Sequence, residues 1–357
     1  MGTAYTQSLA ELRRTDAGEY GGKSANLGEL LAAGIPVPPG FALAAHAFRA
    51  FVEEAGLEGT IAAALSRASV GDVKETDAAS KAIGEAMRFA PLPDAVREQL
   101  EQRHDELARV LEEEEPPVAV RSSALGEDGE DATHAGQQES FLWVRGLEQV
   151  CDAVRDCWAS LFTPRAISYR AELEAGTSDP AMGVTVQQMV DAEVSGVMFT
   201  CNPVSGDPSM VAINASWGLG IAVVSGETTP DDYLLSKVTG EVVRSKVNAK
   251  EIEYIPDVAG RGTVRVEVPA ERRDESCLGK EQLAALLEVA RRIEGHFGTR
   301  QDIEWAIARG RPLPGALVVL QARPATALPD PPTKVSASAM SLVLGTFGAA
   351  PRPPKQS

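Results

Sequence analysis

The sequence predicts an α+β protein arranged in two lobes, and three observations carry that expectation. Apolar residues recur at helical spacing over 45–56, 60–69, 77–88, 93–111, 146–161 and 280–297. From Gly183 onward the composition shifts toward small and β-branched residues, with strands expected over 184–190 and 194–200, which marks a second lobe. A chain of 357 residues is also too long for one minimal core and comfortable for two or three packed subdomains.

In chain order, residues 1–20 read as a polar lead-in. Tyr20-Gly21-Gly22-Lys23-Ser24-Ala25-Asn26-Leu27 then changes character: the glycines permit a tight turn, and Leu27, Leu30 and Leu31 follow at helical spacing. Lys23 therefore stands at a helix start, where unpaired N–H groups and the positive dipole end favour an anion. A Walker A loop needs a glycine at Ala17, and Gly18 is one residue too close, so that motif is excluded. Lys23 is left as either a phosphate-facing or a solvated lysine. Gly34-Ile35-Pro36-Val37-Pro38-Pro39-Gly40 is a proline-fixed connector into a strand. The charge run Glu112 to Glu115 with Pro116 and Pro117 closes a helix. The strand Val118-Ala119-Val120-Arg121-Ser122-Ser123-Ala124 follows, then a glycine-containing acidic segment from Gly126 to Gly136 that could cover phosphates, and a strand over 141–144. Residues 214–220 and 223–226 place glycines for close backbone approach. Beyond residue 326 the composition turns to Pro, Ala and Ser, and 327–357 reads as a linker or tail.

Composition excludes several classes. With 44% hydrophobic and 24% charged residues the balance is that of a soluble globular protein, while a formal net charge of -17 leaves no long basic footprint for nucleic acid or anionic lipid. Cys151, Cys157, Cys201 and Cys277 form no CxxC pair, so they are expected as reduced thiols of a cytoplasmic protein. No leader is recognisable at the N-terminus and no apolar run reaches membrane-spanning length.

The chemistry concentrates near the end of the chain. In a strand over Gln301-Asp302-Ile303-Glu304-Trp305-Ala306-Ile307, Asp302 and Glu304 point to one face and Ile303, Trp305 and Ile307 to the other. After a turn with Gly310, Pro312, Pro314 and Gly315, a second run ends in Gln321-Ala322-Arg323-Pro324, where Gln321 and Arg323 share a face. Paired, the strands bring together two carboxylates, an amide and a guanidinium, which suits Mg²⁺ and a phosphate oxygen. An amphipathic hairpin with a solvated acidic face fits the same residues.

Seven separated stretches, Gly21 to Leu30, Val118 to Ala124, Ala135 to Phe141, Ser195 to Pro203, Ala215 to Gly226, Gln301 to Ile307 and Leu320 to Pro324, together resemble one family in order. It is the nucleotide-binding region of the phosphoenolpyruvate synthase and pyruvate phosphate dikinase family, which also includes rifamycin phosphotransferases and phenylphosphate synthase. The resemblance implies an ATP-grasp fold whose lobes, 1–190 and 191–326, clamp ATP. It implies Lys23, Arg121 and Arg323 as phosphate-contacting catalytic residues, and Asp302, Glu304 and Gln321 as Mg²⁺ ligands. Gln188-Met189-Val190 resembles the hinge that meets adenine, with Glu193 placed for ribose hydroxyls. Two positions depart from the family: His134 stands where phenylalanine is common, and Ile221 where an acidic residue is frequent. The implied activity splits ATP to AMP and phosphate and passes the β-phosphoryl group to a histidine on a separate domain or subunit, then to pyruvate, phenol or a rifamycin. None of His46, His104, His134 or His296 lies in the family's Thr-Ser-His segment, so the chain alone is not expected to complete the reaction. The alternative is a non-catalytic ATP-sensing module that binds a protein partner.

Overall fold

Two antiparallel sheets organise the protein, and the computed structural model describes residues 3–68, 72–125, 139–172, 180–257 and 262–325. The expected cover Gly126 to Gly136, with His134, and the tail 327–357 lie outside the described residues. β1 (Thr6–Ser8), β2 (Gly40–Leu43), β3 (Val118–Ala124), β4 (Ser140–Val144) and β5 (Met182–Gln188) form a sheet of order β1-β2-β5-β3-β4. β6 (Ala192–Phe199), β7 (Met210–Trp217), β8 (Asp231–Ser236) and β9 (Val242–Lys246) open the second sheet. After a ribbon of β10 (Ile252–Pro256) and β11 (Thr263–Glu267), β12 (Gln301–Ala308) and β13 (Leu317–Pro324) complete it in the order β13-β12-β6-β7-β8-β9.

The expected helices form as Ala45–Glu54, Glu58–Leu65, Val73–Phe89, Asp94–Leu111, Leu147–Ala159 and Lys280–Phe297. Val73–Phe89 begins earlier than the apolar spacing indicates because Asp72 caps it, accepting from the backbone N–H groups of Lys74 and Glu75 at 2.9 and 3.2 Å. Asp94–Leu111 stops where Glu112 turns left-handed at φ 54°, the start of the charge run. Among the described residues no helix is long and apolar enough to cross a membrane. The four cysteines are unpaired and buried; burial pushes the Cys151 thiol up to about 11 and those of Cys157 and Cys277 higher still.

Sequence alternation assigns the strand faces. Phe41 and Leu43 of β2 enter a core with Phe48, Phe51, Ile83, Trp158, Val184 and Val186, in which Trp158 stacks on Phe51 at 5.2 Å. Ala42 and Ala44 face the other way, into a second core that holds β6, β7, β12 and β13 against helix Lys280–Phe297. That second core corrects the reading of residues 1–20 as a polar lead-in: Leu9 and Leu12 are fully buried in it, and β1 pairs with β2. Their signal is two leucines among charged neighbours, with no period to detect. β7, β8 and β9 are likewise absent from the sequence expectation, which saw glycine approaches at 214–220 where β7 runs as a central strand.

Helix Gly22–Ala32 lies between the sheets and contacts β3, β5 and β13. Gly21 adopts φ 80°, and a Cβ there would lie 2.2 Å from the Ser123 carbonyl oxygen; a Cβ on Gly28 would lie 2.4 Å from that of Leu12. Both glycines are required by close backbone approach.

A buried ion pair ties β8 to the segment before the ribbon. Lys250 and Asp231, both with fully buried side chains, meet at 2.6 Å. Asp231 Oδ1 also accepts from the Asn248 N–H at 3.0 Å, and Oδ2 accepts from the Cys277 N–H at 2.8 Å and the Tyr233 hydroxyl at 3.1 Å. With each carboxylate oxygen doubly satisfied by protein donors, the buried charge is compensated within the fold. Lys250→Met should lower unfolding free energy by about 3–5 kcal/mol, because it strands a buried carboxylate. Adding Asp231→Asn should recover part of that loss; urea denaturation of the two variants checks both outcomes.

Candidate functional site

A cleft of about 800 Å³ opens where β5 of the first sheet hands over to β6 of the second. β3 supplies one wall by alternation: Val118 and Val120 enter the core, while Ala119 and Arg121 line the cleft. Lys23, second residue of its helix, is buried rather than solvated, lines the cleft, and donates from Nζ to the Ser122 carbonyl at 3.1 Å.

The opposite wall is the β12–β13 hairpin, and a bulge makes it possible. Glu304 pairs with Gln321 but Trp305 pairs with Val319, so Leu320 is an extra residue in β13. Strict alternation would leave Gln321 and Arg323 on the face of Leu317 and Val319, which are buried in the core. The inserted Leu320 turns them over. Gln321 thereby stands opposite Glu304 and Arg323 opposite Asp302, and both Glu304 and Gln321 line the cleft.

Glu304 lies 3.7 Å from Arg121 across the cleft, a contact between the two sheets. Arg121 Nε is buried without a partner among the described residues. Asp302 and Arg323 stand apart from this group. Arg323 donates from Nε and Nη2 to Asp302 Oδ2 at 2.9 and 2.8 Å, and neither residue is among those that line the cleft. Burial raises the Asp302 carboxyl above its usual range, outweighing the Arg323 guanidinium that pulls it down.

Gln188, Met189 and Val190 line the cleft, whereas Glu193 is exposed and outside the lining. Sequence reasoning missed the apolar floor beside this stretch. Ala192, Leu219 and Ala306 form a small buried cluster with Met189, Ile221 and Leu320 packed on it, and all six line the cleft. Such a slot accepts a flat ring, with polar groups at its ends. Ile221 belongs to this floor. Glu139 was also missed; it lines the cleft through the strand pairing in which Ser122 N–H donates to the Glu139 carbonyl at 3.1 Å.

The donor set suits a hard cation. Glu304 offers a carboxylate and Gln321 an amide oxygen from directly opposed strand positions, the oxygen chemistry Mg²⁺ takes when phosphates complete its shell. Among the described residues no group of three or more His, Cys, Asp or Glu is placed to hold a metal without such help.

Mixed helices and antiparallel sheets around a cleft, with cationic side chains on one wall and oxygen donors on the other, define an ATP-grasp-like nucleotide-binding fold. The chain belongs to the family described as pyruvate phosphate dikinase, AMP/ATP-binding domain, which matches residues 17–341. It is 41% identical over 347 residues to a probable phosphoenolpyruvate synthase of Methanothermobacter thermautotrophicus, covering 97% of this chain and 50% of that protein. It is 37% identical over 391 residues to the phosphoenolpyruvate synthase of Pyrococcus furiosus, covering 98% and 48%. The corresponding protein of Aeropyrum pernix is 38% identical over 330 residues, covering 86% and 40%. The chain thus spans half or less of the length of these curated relatives.

The Asp302 environment yields a pH test. Its folded-state pKa is raised, so the carboxylate costs stability as pH rises through that value, and the cost is absent below the unfolded value of about 4. In carbon-detected NMR titration the Asp302 carboxyl should titrate above the ordinary aspartate range. Arg323→Met should move it further up, since the guanidinium is what restrains the shift.

Proposed function

We propose that the chain binds ATP with Mg²⁺ in this cleft and serves as the ATP-splitting component of a dikinase. ATP yields AMP and phosphate, and the β-phosphoryl group passes to a histidine on a separate domain or subunit, then to an acceptor such as pyruvate, phenol or a rifamycin. The observation that carries the reading is the strand register that sets Gln321 against Glu304 while Glu304 lies 3.7 Å from Arg121, in the cleft that Lys23 also lines. Family membership supports ATP as the nucleotide. Four unpaired buried cysteines support a cytoplasmic setting.

Phosphoryl transfer asks a protein mainly to position the reactants and neutralise charge. In this reading Lys23 and Arg121 hold phosphate oxygens, and Glu304 and Gln321 hold Mg²⁺, which when bound offsets charge developing on the phosphates. Without nucleotide, Arg121 and Glu304 neutralise one another; a triphosphate and its cation satisfy each separately. Arg323 and Asp302 join by giving up their mutual contact, Arg323 to a phosphate and Asp302 to the metal. The backbone of Gln188, Met189 and Val190 meets the base, Glu193 the ribose, and the clamp closes between lobes 1–190 and 191–326.

Calorimetry on the chain should show ATP binding that strengthens with Mg²⁺, and Glu304→Ala should abolish the Mg²⁺ dependence. Arg323→Ala should weaken ATP binding more than Arg323→Lys, which keeps the charge but loses the planar fork. With ATP labelled at the β position, label should appear on a histidine of an added phosphohistidine domain together with AMP release. Rapid AMP formation with a small acceptor and no such domain would reject the transfer step.

A further inference from the structure

Edge strand β4 carries one residue more than β3 where the two pair. Val118 opposes Val144 but Val120 opposes Phe141, so Leu142 and Trp143 together face the single residue Ala119. Phe141 and Val144 both pack with the first core, and the extra residue between them breaks the alternation that would send Trp143 there as well. Trp143 is only 7% exposed, yet it belongs to none of the three clusters of buried apolar side chains, and it lines the cleft. Its backbone is left-handed at φ 59°, a conformation that suits glycine or asparagine and not a bulky aromatic. Among the described residues the one other non-glycine with positive φ is Glu112, at a helix end where that conformation is ordinary. Strain of this kind persists where the surroundings over-determine it, and it gathers at ligand sites. Here the Trp143 carbonyl accepts from the Gly262 N–H at 3.3 Å, which ties β4 to the β10–β11 ribbon, and Gly262 and Thr263 of that ribbon line the cleft too.

The register of β3 says which part of a nucleotide lies beside the indole. Val118 opposes Gln188 at the end of β5, and Arg121 lies against Glu304. Ala119, and Trp143 with it, stands two residues short of Arg121, roughly 7 Å along the strand. A nucleotide whose phosphates meet Arg121 therefore sets its sugar and base beside Trp143. The apolar floor of Ala192, Leu219 and Ala306 comes from β6, β12 and the turn after β7, whereas Trp143 comes from the first sheet. Floor and indole are thus opposite walls of one slot. An indole offers a flat π-face for stacking and one N–H, which among the described residues donates to nothing.

We infer that Trp143 is a nucleoside-binding residue of the cleft: the β4 bulge turns its indole out of the first core and onto the base and sugar, across from the apolar floor. The inference rests on the proposed nucleotide reading and adds to it a side chain that recognises the nucleoside and not the phosphates.

The test uses calorimetry with Mg²⁺ on the full chain and two ligands, ATP and inorganic tripolyphosphate, which has the phosphates without the nucleoside. The wild-type chain should bind ATP the more tightly. Trp143→Asn keeps a residue suited to the left-handed backbone and removes the indole; it should weaken ATP binding about tenfold and leave tripolyphosphate binding unchanged. Trp143→Phe should retain most of the ATP affinity. Unchanged ATP binding in Trp143→Asn, or equal weakening of both ligands, overturns the inference and leaves the functional reading standing. Equal affinity of the wild-type chain for ATP and tripolyphosphate does the same. Photolysis of the wild-type chain with 8-azido-ATP should label the peptide that holds Trp143; labelling of cleft peptides that leaves out residues 141–144 overturns the inference even if no variant folds. Failure of the wild-type chain to bind ATP at all rejects the functional reading itself.

Discussion

The burial of helix Gly22–Ala32 between the two sheets is the constraint on which the rest of the structure depends. Nearly every residue of its first two turns is buried, and it reaches that depth only because Gly21 and Gly28 let backbone touch backbone. Its start is pinned by polar contacts without charge: the Ser24 and Thr185 hydroxyls meet at 2.6 Å, and Ser24 N–H donates to Ser123 Oγ at 3.3 Å. Lys23 therefore enters the cleft from a rigid element, and its side chain is committed before any ligand arrives. At the other side the helix packs with Leu27 and Leu30 into the core that carries β12 and β13, so one element positions the lysine relative to the hairpin.

The cleft also shows how a chain of net charge -17 can address a polyanion. Overall charge sets long-range attraction, but screening limits its reach to about 10 Å at 0.1 M salt. Inside the cleft the relevant charges are Lys23 and Arg121, held at partly or fully buried positions where opposite charge is felt more strongly than in water. Glu304 lies against Arg121 there and offsets its charge.

Much of this arrangement was legible in sequence, for reasons that differ by residue. The faces of Asp302 and Glu304 against Ile303, Trp305 and Ile307 follow from the two-residue period of a strand, and the structure has them so. Helix extents followed from apolar spacing, while ends depended on caps such as Asp72 that spacing does not register. The grouping of Gln321 with Glu304 was expected, but its cause was hidden: the bulge at Leu320 is a matter of strand pairing, invisible in β13 alone. Leu9, Leu12, Asp231 and Lys250 were unread because their partners are distant in sequence or their signal is too short to have a period. The withdrawal of Asp302 to Arg323 is of the same kind, since alternation shows that two residues share a face and not which pair will bond.

Strand β2 has a consequence for how the molecule comes apart. Its four residues give Phe41 to one core and Ala42 to the other, and Gly40 lies close against the Val186 backbone. A wall shared in this way cannot be lost by one side and kept by the other, so the two cores melt as a single cooperative unit rather than as independent foldons.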